Sequence, residues 1–358
     1  MKIHEKYLSR CIELAKNGLG LTYPNPMVGA VVVWNDKIIG EGWHQKAGGP
    51  HAEVHAINSV KDKSLLKDAT IYVSLEPCSH YGKTPPCVDL IVQSKIPNVV
   101  IGSIDTNSLV AGKGVEHLKN NGCNVEVGVL EKDCLELNKR FYTYHNKRRP
   151  YIILKWATSN DGYFDVDRDI SDLADAKPTW ITNTYAQQLV HQLRTGEQAI
   201  LVGTKTVLKD NPKLDARNFS GKNPIRVVLD KSLKISLNYQ VFNGKLKTIV
   251  IADKGTEVAN FFTTISDLKV EKIDFQNNIV LQILEVLYKH EIQSLIVEGG
   301  KQLLESFINH NLWDEAFVFK GKVELKGGIK SPEIKEKWIT QRDVLGETVS
   351  FYKNSITK

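Results

Sequence analysis

Short apolar runs and amphipathic stretches alternate along this chain, and the alternation stops once and then begins again. In the first half HEKYLSRCIELAKNGL carries apolar residues at helical spacing, AVVVW is a buried-strand run, HAEVHAINSV starts a helix and ATIYVSLEP reads as a strand. PPCVDLIVQSK, NVVIGSID, GVEHLKNNG, CNVEVGVL and EKDCLELNKRFYTYHN follow as helix, strand, helix, strand and helix. NKRRP, residues 146–150, is a polar break. After it come the strand PYIILKWATS, the helix NTYAQQLVHQLRTG and the strands QAILVGT, PIRVVLD and KTIVIAD. The helix NNIVLQILEVLYKH, strand SLIVEGG, helix KQLLESFINHN and strand DEAFVFKG complete the pattern. Strands that alternate with helices predict a largely parallel α/β sheet in each half. At 358 residues the chain exceeds one ordinary core, so two domains are expected, 1–146 and 150–358.

Bulk properties narrow the function classes. The N-terminal stretch MKIHEKYLSRCIELAKNGLG is polar and amphipathic, and the richest apolar run, VGAVVVW, stops at Asn35, far short of a membrane span. A cytoplasmic protein is the expectation, with no membrane partner. Five cysteines, an odd number, do not suggest a disulfide framework and favour metal binding or free thiols. The net charge of +6 lies in no long basic block. It suits an anionic small molecule such as a phosphate ester, and the dense basic surface of a nucleic-acid binder is missing.

GGPHAEVHAI crowds His51, Glu53 and His55 into five residues. Taken alone, this is as compatible with the polar first turn of a helix as with chemistry, and it is not the H-E-x-x-H order of a metalloprotease. SLEPCSHYGKTPPC supplies the partners: Pro77–Cys78 ends a strand and Pro86–Cys87 opens a helix. One histidine and two thiolates make a three-ligand zinc set with an open fourth position, which marks a catalytic site. Glu53, two residues after the histidine, is placed to shuttle protons between a bound water and a leaving amine. H-x-E followed by Pro-Cys is the signature of zinc nucleobase deaminases, here with a longer loop between the cysteines. Cys11, Cys123 and Cys134 read as packed thiols, and His44, His55 and His80 as structural or supporting groups. In the second half, SLIVEGGKQLLESF sets a carboxylate and two glycines between a buried strand and a helix, where a backbone can approach a phosphate. Many α/β turns look alike, so this junction by itself leaves an ordinary turn open.

HAEVHAI, EPCSHYGKTPPC and PNPMVGAVVV, with KWATSNDG, PTWIT, LVGTKTVLKDNPKLDAR and VEGGKQLL in order, resemble the bifunctional deaminase–reductases of riboflavin biosynthesis over nearly the whole chain. The resemblance implies a cytidine-deaminase-like N-terminal domain and a C-terminal domain like dihydrofolate reductase. It implies zinc, one ion per deaminase domain, on His51, Cys78 and Cys87, with Glu53 as proton donor. Asn25 would lie near the pyrimidine, and Lys83, Asp105, Asn107 and Lys113 near the ribose phosphate. NADPH is expected near Ala157, Trp180, Thr206 and Asp210 and along Gly300, Lys301, Gln302, Leu303, Leu304, Glu305 and Ser306. The phosphorylated pyrimidine is expected near Pro178, Arg194, Leu214, Arg217 and Glu298 in the second domain. Lys155 and Glu298 are candidates for polarising or protonating an imine at the sugar carbon, or else form an ordinary buried ion pair. A homo-oligomer, dimer or tetramer, built through the reductase half is also implied. Thr106 and Ser108 stand where the family has prolines, and Pro178 where it has a serine. The segment YFDVDRDISDLADAKPT before Trp180 is longer and more acidic than the family's, which puts phosphate contacts at that edge in doubt. Two rivals remain at this stage: a deaminase acting on a nucleic-acid base, and a zinc-stabilised protein whose second half binds nucleotide without turnover.

Overall fold

A computed structural model describes residues 2–81, 85–105, 112–168, 175–260, 262 and 265–355. The chain divides into two compact units, Met1–Arg148 and Arg149–Lys358.

The first unit is a five-stranded sheet of β1 (Gly29–Trp34), β2 (Lys37–Trp43), β3 (Thr70–Leu75), β4 (Asn98–Ser103) and β5 (Asn124–Val127). Their order is β2-β1-β3-β4-β5. β3, β4 and β5 are parallel, but β1 runs antiparallel to both β2 and β3, so the sheet expected to be largely parallel is mixed in this unit. The strand KIIGEGW escapes sequence reading because two glycines and two charges interrupt its apolar alternation. AVVVW is apolar throughout because both faces are covered. Ala30 and Val32 pack with α2 (Ala52–Ser59), α3 (Cys87–Gln93) and α4 (Lys113–Asn120) residues such as Ala56, Ile91 and Leu118. Val31 and Val33 pack on the other face with Leu8 and Ile12 of α1 (Ile3–Lys16) and Cys134 of α5 (Glu131–Leu137).

The stretch expected as one helix over 131–146 is two, α5 and α6 (Lys139–Lys147), broken at Asn138. The cause is tertiary. The buried Asn138 amide accepts from Met27 N–H at 2.8 Å and donates to Met27 C=O at 2.9 Å, clamping the PNPM loop. A side chain committed to another segment's backbone overrides local helical preference.

The second unit centres on nine strands in the order β11-β10-β9-β8-β12-β6-β13-β16-β15. They are β6 (Tyr151–Thr158), β8 (Ala199–Gly203), β9 (Ile225–Leu229), β10 (Thr248–Asp253), β11 (Leu268–Ile273), β12 (Ser294–Gly299), β13 (Glu315–Lys320), β15 (Thr340–Val344) and β16 (Glu347–Lys353). A separate antiparallel pair joins β7 (Tyr163–Asp165) to β14 (Ile329–Lys330). From β11 to β13 every pairing is parallel, as expected, whereas β13–β16 and β16–β15 are antiparallel. The terminal hairpin was not anticipated: TQRDV is an exposed, polar edge strand without an apolar face to betray it. Among the described residues the α-helices of this unit are α7 (Thr184–Gly196), α8 (Thr204–Asp210), α9 (Ile279–Lys289) and α10 (Lys301–Asn309). Leu201, Leu295 and Val297 face one core, and Ile200, Val202 and Ile296 the other, the alternation a doubly covered strand requires.

Arg149, the last arginine of the polar break, anchors this sheet. Its guanidinium donates to both carboxylate oxygens of Asp314 at 2.6 and 2.8 Å, and Asp314 also accepts from Ile152 N–H at 2.8 Å. Both side chains are buried. Asp314→Ala strands a buried guanidinium, so unfolding of the second unit in urea should lose about 3–5 kcal/mol. Loss of less than about 1 kcal/mol, the range of exposed pairs, would refute the anchor.

Candidate active sites

In the first unit three elements deliver one cluster. His51 is the N-cap of α2, Cys78 follows β3, and Cys87 is the first residue of α3. Because β2 and β3 point the same way, the helix starts after them gather at one edge of the sheet. The ligand atoms of His51, Cys78 and Cys87 all lie within 4.8 Å of one another. His51 Nδ1 is 3.5 Å from Cys78 Sγ and 3.3 Å from Cys87 Sγ. Donors about 2.0–2.3 Å from a tetrahedral zinc stand about 3.5 Å apart, so this set fits the ion. Contact with Cys87 draws the Cys78 thiol down, and contact with Cys78 raises Cys87.

Glu53, in the first turn of α2, is 3% exposed. Burial and then the charge of Cys78 push its carboxyl up to about 7, while His51 opposes them. His55 lies outside the cluster. Asn25 donates from Nδ2 to His44 Nε2 at 3.0 Å, and His44 Nδ1 lies 3.0 Å from Pro50 C=O. The network assigns the tautomer, with Nδ1–H donating to Pro50. Burial holds His44 below the ordinary histidine range, and its ring meets that of His51 edge-on with centroids 5.4 Å apart. Glu76 is the other group sequence reasoning passed over. Its buried carboxylate accepts from the N–H groups of Asp105, Gly112, Gly114 and Val115 at 2.8–3.3 Å. Its place directly before Pro77–Cys78 was the one available signal, whereas His44 offered none, since its partners meet it only in the fold. Lys113 is exposed at the start of α4, and Asp105 follows β4. Lys83 and Asn107 lie outside the described residues. Cys11, Cys123 and Cys134 are buried in the cores, as expected.

In the second unit Lys155 of β6, Glu298 of β12 and Arg194 of α7 meet. Arg194 donates through Nε and Nη2 to the two oxygens of Glu298 at 2.9 and 2.8 Å, and through Nη1 to Asp215 C=O at 2.8 Å. Lys155 Nζ is 3.8 Å from Glu298. Burial favours the neutral acid, yet Arg194 and then Lys155 overcome it and hold Glu298 down to about 2. The ionised form of Glu298 is therefore favoured, and in this structure the Arg194 fork is taken up by Glu298. Burial lowers Lys155.

The GG junction is built as the sequence implied. Gly299 has φ 128°, a left-handed backbone that only glycine adopts easily, and an added Cβ would come within 3.2 Å of the Phe164 ring. A Cβ on Gly300 would stand 3.3 Å from Thr206 Oγ1, so the starts of α8 and α10 adjoin. Within 300–306 the side chains divide. Leu303 and Leu304 are core residues whose N–H groups donate to Gly300 C=O, Ser306 donates to Gln302 C=O, and Glu305 pairs with Lys301 at 3.4 Å. Trp180 is 58% exposed, and Ala157 and Pro178 are half-buried. Leu214 is buried, and Arg217 is exposed with Asp215 beside it at 2.5 Å. The Asp210 carboxylate is taken up by Arg168 at 2.7 Å, which also lies 3.7 Å from Asp165. The long acidic segment therefore carries its own counter-charge among the described residues.

Comparisons with known proteins agree with this division. Residues 1–103 match the family described as the cytidine and deoxycytidylate deaminase zinc-binding region, and residues 150–321 match the RibD C-terminal domain. A riboflavin biosynthesis protein RibD from Aquifex aeolicus is 42% identical over 89% of this chain and 86% of its own. The chain belongs to the RibD family. A deaminase/reductase of known structure from Thermotoga maritima superposes with a TM-score of 0.86 at 38% identity, covering 98% of this chain and 99% of its own. RibD from Acinetobacter baumannii gives 0.87 at 30% identity, covering 99% of both chains. As a RibD protein the chain joins a zinc-dependent deaminase to an NADPH-using reductase in riboflavin biosynthesis. Among the described residues no helix is long and apolar enough to cross a membrane. Cys87→Ser should drop bound zinc from one per chain towards none by elemental analysis, and full retention of the metal would remove Cys87 from the ligand set.

Proposed function

We propose that the first unit hydrolytically deaminates a phosphoribosylated diaminopyrimidine and that the second reduces the ribosyl side chain of the product to a ribityl chain. The observation that carries the reading is the convergence of His51, Cys78 and Cys87 beside a buried Glu53, in one chain with the strand–GG–helix junction. A solved relative from Thermotoga maritima is described as a diaminohydroxyphosphoribosylaminopyrimidine deaminase and 5-amino-6-(5-phosphoribosylamino)uracil reductase, which supports the same pair of substrates here.

Zinc held by His51, Cys78 and Cys87 would supply Lewis-acid activation of the attacking water. Glu53 moves a proton to the amine that leaves as ammonia, a task suited to a carboxyl poised near neutrality. Asn25, oriented by His44, recognises the pyrimidine edge, and Lys113 contributes positive charge for the phosphate.

In the second unit NADPH supplies hydride to the sugar carbon once the ribosylamine has opened to an imine. Gly300, Lys301 and Gln302 with Thr206 receive the cofactor's phosphates at adjoining helix starts, and Trp180 offers an exposed ring. Lys155 protonates the imine nitrogen, while Glu298, fixed by Arg194, holds the lysine in place. Arg217 and the turn at Leu214 meet the substrate. We also read the protein as a cytoplasmic homo-oligomer. Its five unpaired thiols suit a reducing compartment, and Trp338, Ile339 and Leu345 leave apolar surface beside the edge strand β15.

Glu53→Gln should cut ammonia release by about 10²–10⁴-fold while zinc content stays at one per chain. Activity within tenfold of the parent would exclude a proton shuttle there. Given the deaminated compound and NADPH, Lys155→Met should lose hydride transfer, followed by nicotinamide absorbance, with cofactor affinity retained. Unimpaired turnover would take Lys155 out of the mechanism.

A further inference from the structure

Glu76 belongs to neither the ligand set nor the proton path, yet it is one of the most heavily bonded carboxylates in the first unit. It is 6% exposed. Oε1 accepts from Gly114 N–H at 2.8 Å and Val115 N–H at 3.2 Å, and Oε2 from Gly112 N–H at 3.0 Å and Asp105 N–H at 3.3 Å. It leaves β3 two residues ahead of Cys78, while Asp105 leaves β4 and Gly112–Val115 begin α4. One side chain thus ties the connection that delivers a zinc ligand to the loop and helix that deliver Asp105 and Lys113. The packing around it allows no slack, since a Cβ added to Gly114 would collide with Pro77 C=O and press on Glu76.

The N–H groups at the start of a helix are natural receptors for a phosphate, because they lack partners within the helix and lie at its positive end. Here Gly112, Gly114 and Val115 are already committed to a carboxylate of the chain itself. These three amides are not open to a substrate phosphate, and the first residue of α4 is an exposed lysine, Lys113, whose side chain can meet one.

We infer that Glu76 is a positioning residue for phosphate recognition in deamination. It fills the anion-receiving amides at the start of α4 and thereby fixes Lys113 and Asp105 in register with the Cys78 connection. The inference rests on the reading of the first unit as a deaminase of a phosphorylated pyrimidine. Its signature is selective: loosening this stitch weakens capture of the phosphorylated substrate and leaves the chemistry at zinc alone.

The test uses the full chain loaded with zinc. Ammonia release is measured for the parent, Glu76→Gln and Gly114→Ala, on the phosphorylated pyrimidine and on the same compound without its phosphate. The glutamine turns its amide hydrogens toward two N–H groups, and the alanine pushes α4 away from an intact carboxylate. Both variants are expected to raise KM for the phosphorylated compound about tenfold or more, the effect of losing a charge-assisted contact, with kcat within about twofold. On the compound without phosphate the three proteins should be equal, and each should hold one zinc per chain. A fall in kcat shared by both compounds, loss of zinc, or an unchanged or lowered KM would overturn the inference. If Glu76→Gln does not fold, Gly114→Ala is judged by the same criteria. A parent enzyme indifferent to the phosphate would overturn the substrate reading first and this inference with it, whereas a discriminating parent with indifferent variants would overturn the inference alone.

Discussion

Parallel pairing governs where chemistry can occur in this protein. When neighbouring strands run the same way, their carboxyl ends share one edge, and each following helix presents its N-terminus there. In the first unit that edge receives Cys78 after β3, Asp105 after β4 and, because β2 is aligned with β3, His51 at the start of α2. In the second, β8 and β12 end side by side, so Gly203 and Gly300 open adjacent helices. The antiparallel strands carry no candidate residues: β1 lies between β2 and β3 and joins them, and the β15–β16 hairpin extends the second sheet at its edge.

Three buried glutamates show how environment sets the role of one side-chain type. Glu53 has little nearby to favour its charge and titrates around neutrality. Glu298 lies between a guanidinium and an ammonium and stays ionised. Among the described residues Glu76 is met by backbone N–H groups, so dipoles instead of a cation face it. A carboxyl raised towards neutrality, one held low, and one that joins the end of β4 to the start of α4 are thus obtained by changing neighbours only.

Much of the first site was legible in the sequence because ligand chemistry imposes residue types at short spacing: His51 with Glu53, and Pro-Cys on either side of one loop. The alternation of strands and helices was equally legible, since apolar runs such as AVVVW and SLIVEGG record burial on both faces. What escaped has a common cause. Asn138 breaks an apparently continuous helix because its partner is Met27, and His44 acquires its role only when Asn25 and Pro50 close around it. Nothing in the sequence reveals that the fork of Arg194, expected near the substrate, is taken up by Glu298, 104 residues away. Within the expected contact stretch the side chains of Leu303 and Leu304 face the core, a division the sequence does not announce because a helix turns successive residues to different faces.

The clamp between Asn138 and Met27 has a consequence for how the first unit comes into being. The family resemblance to the deaminase zinc-binding region ends at residue 103, and all three metal ligands lie within it. The loop bearing Asn25 is nevertheless secured by a residue 111 positions further along than Met27. Closing so long a loop is entropically unfavourable until the intervening strands have formed, so this contact belongs to the end of assembly. During synthesis a chain extended just past residue 103 would possess all three candidate metal donors and still lack the clasp on the loop bearing Asn25.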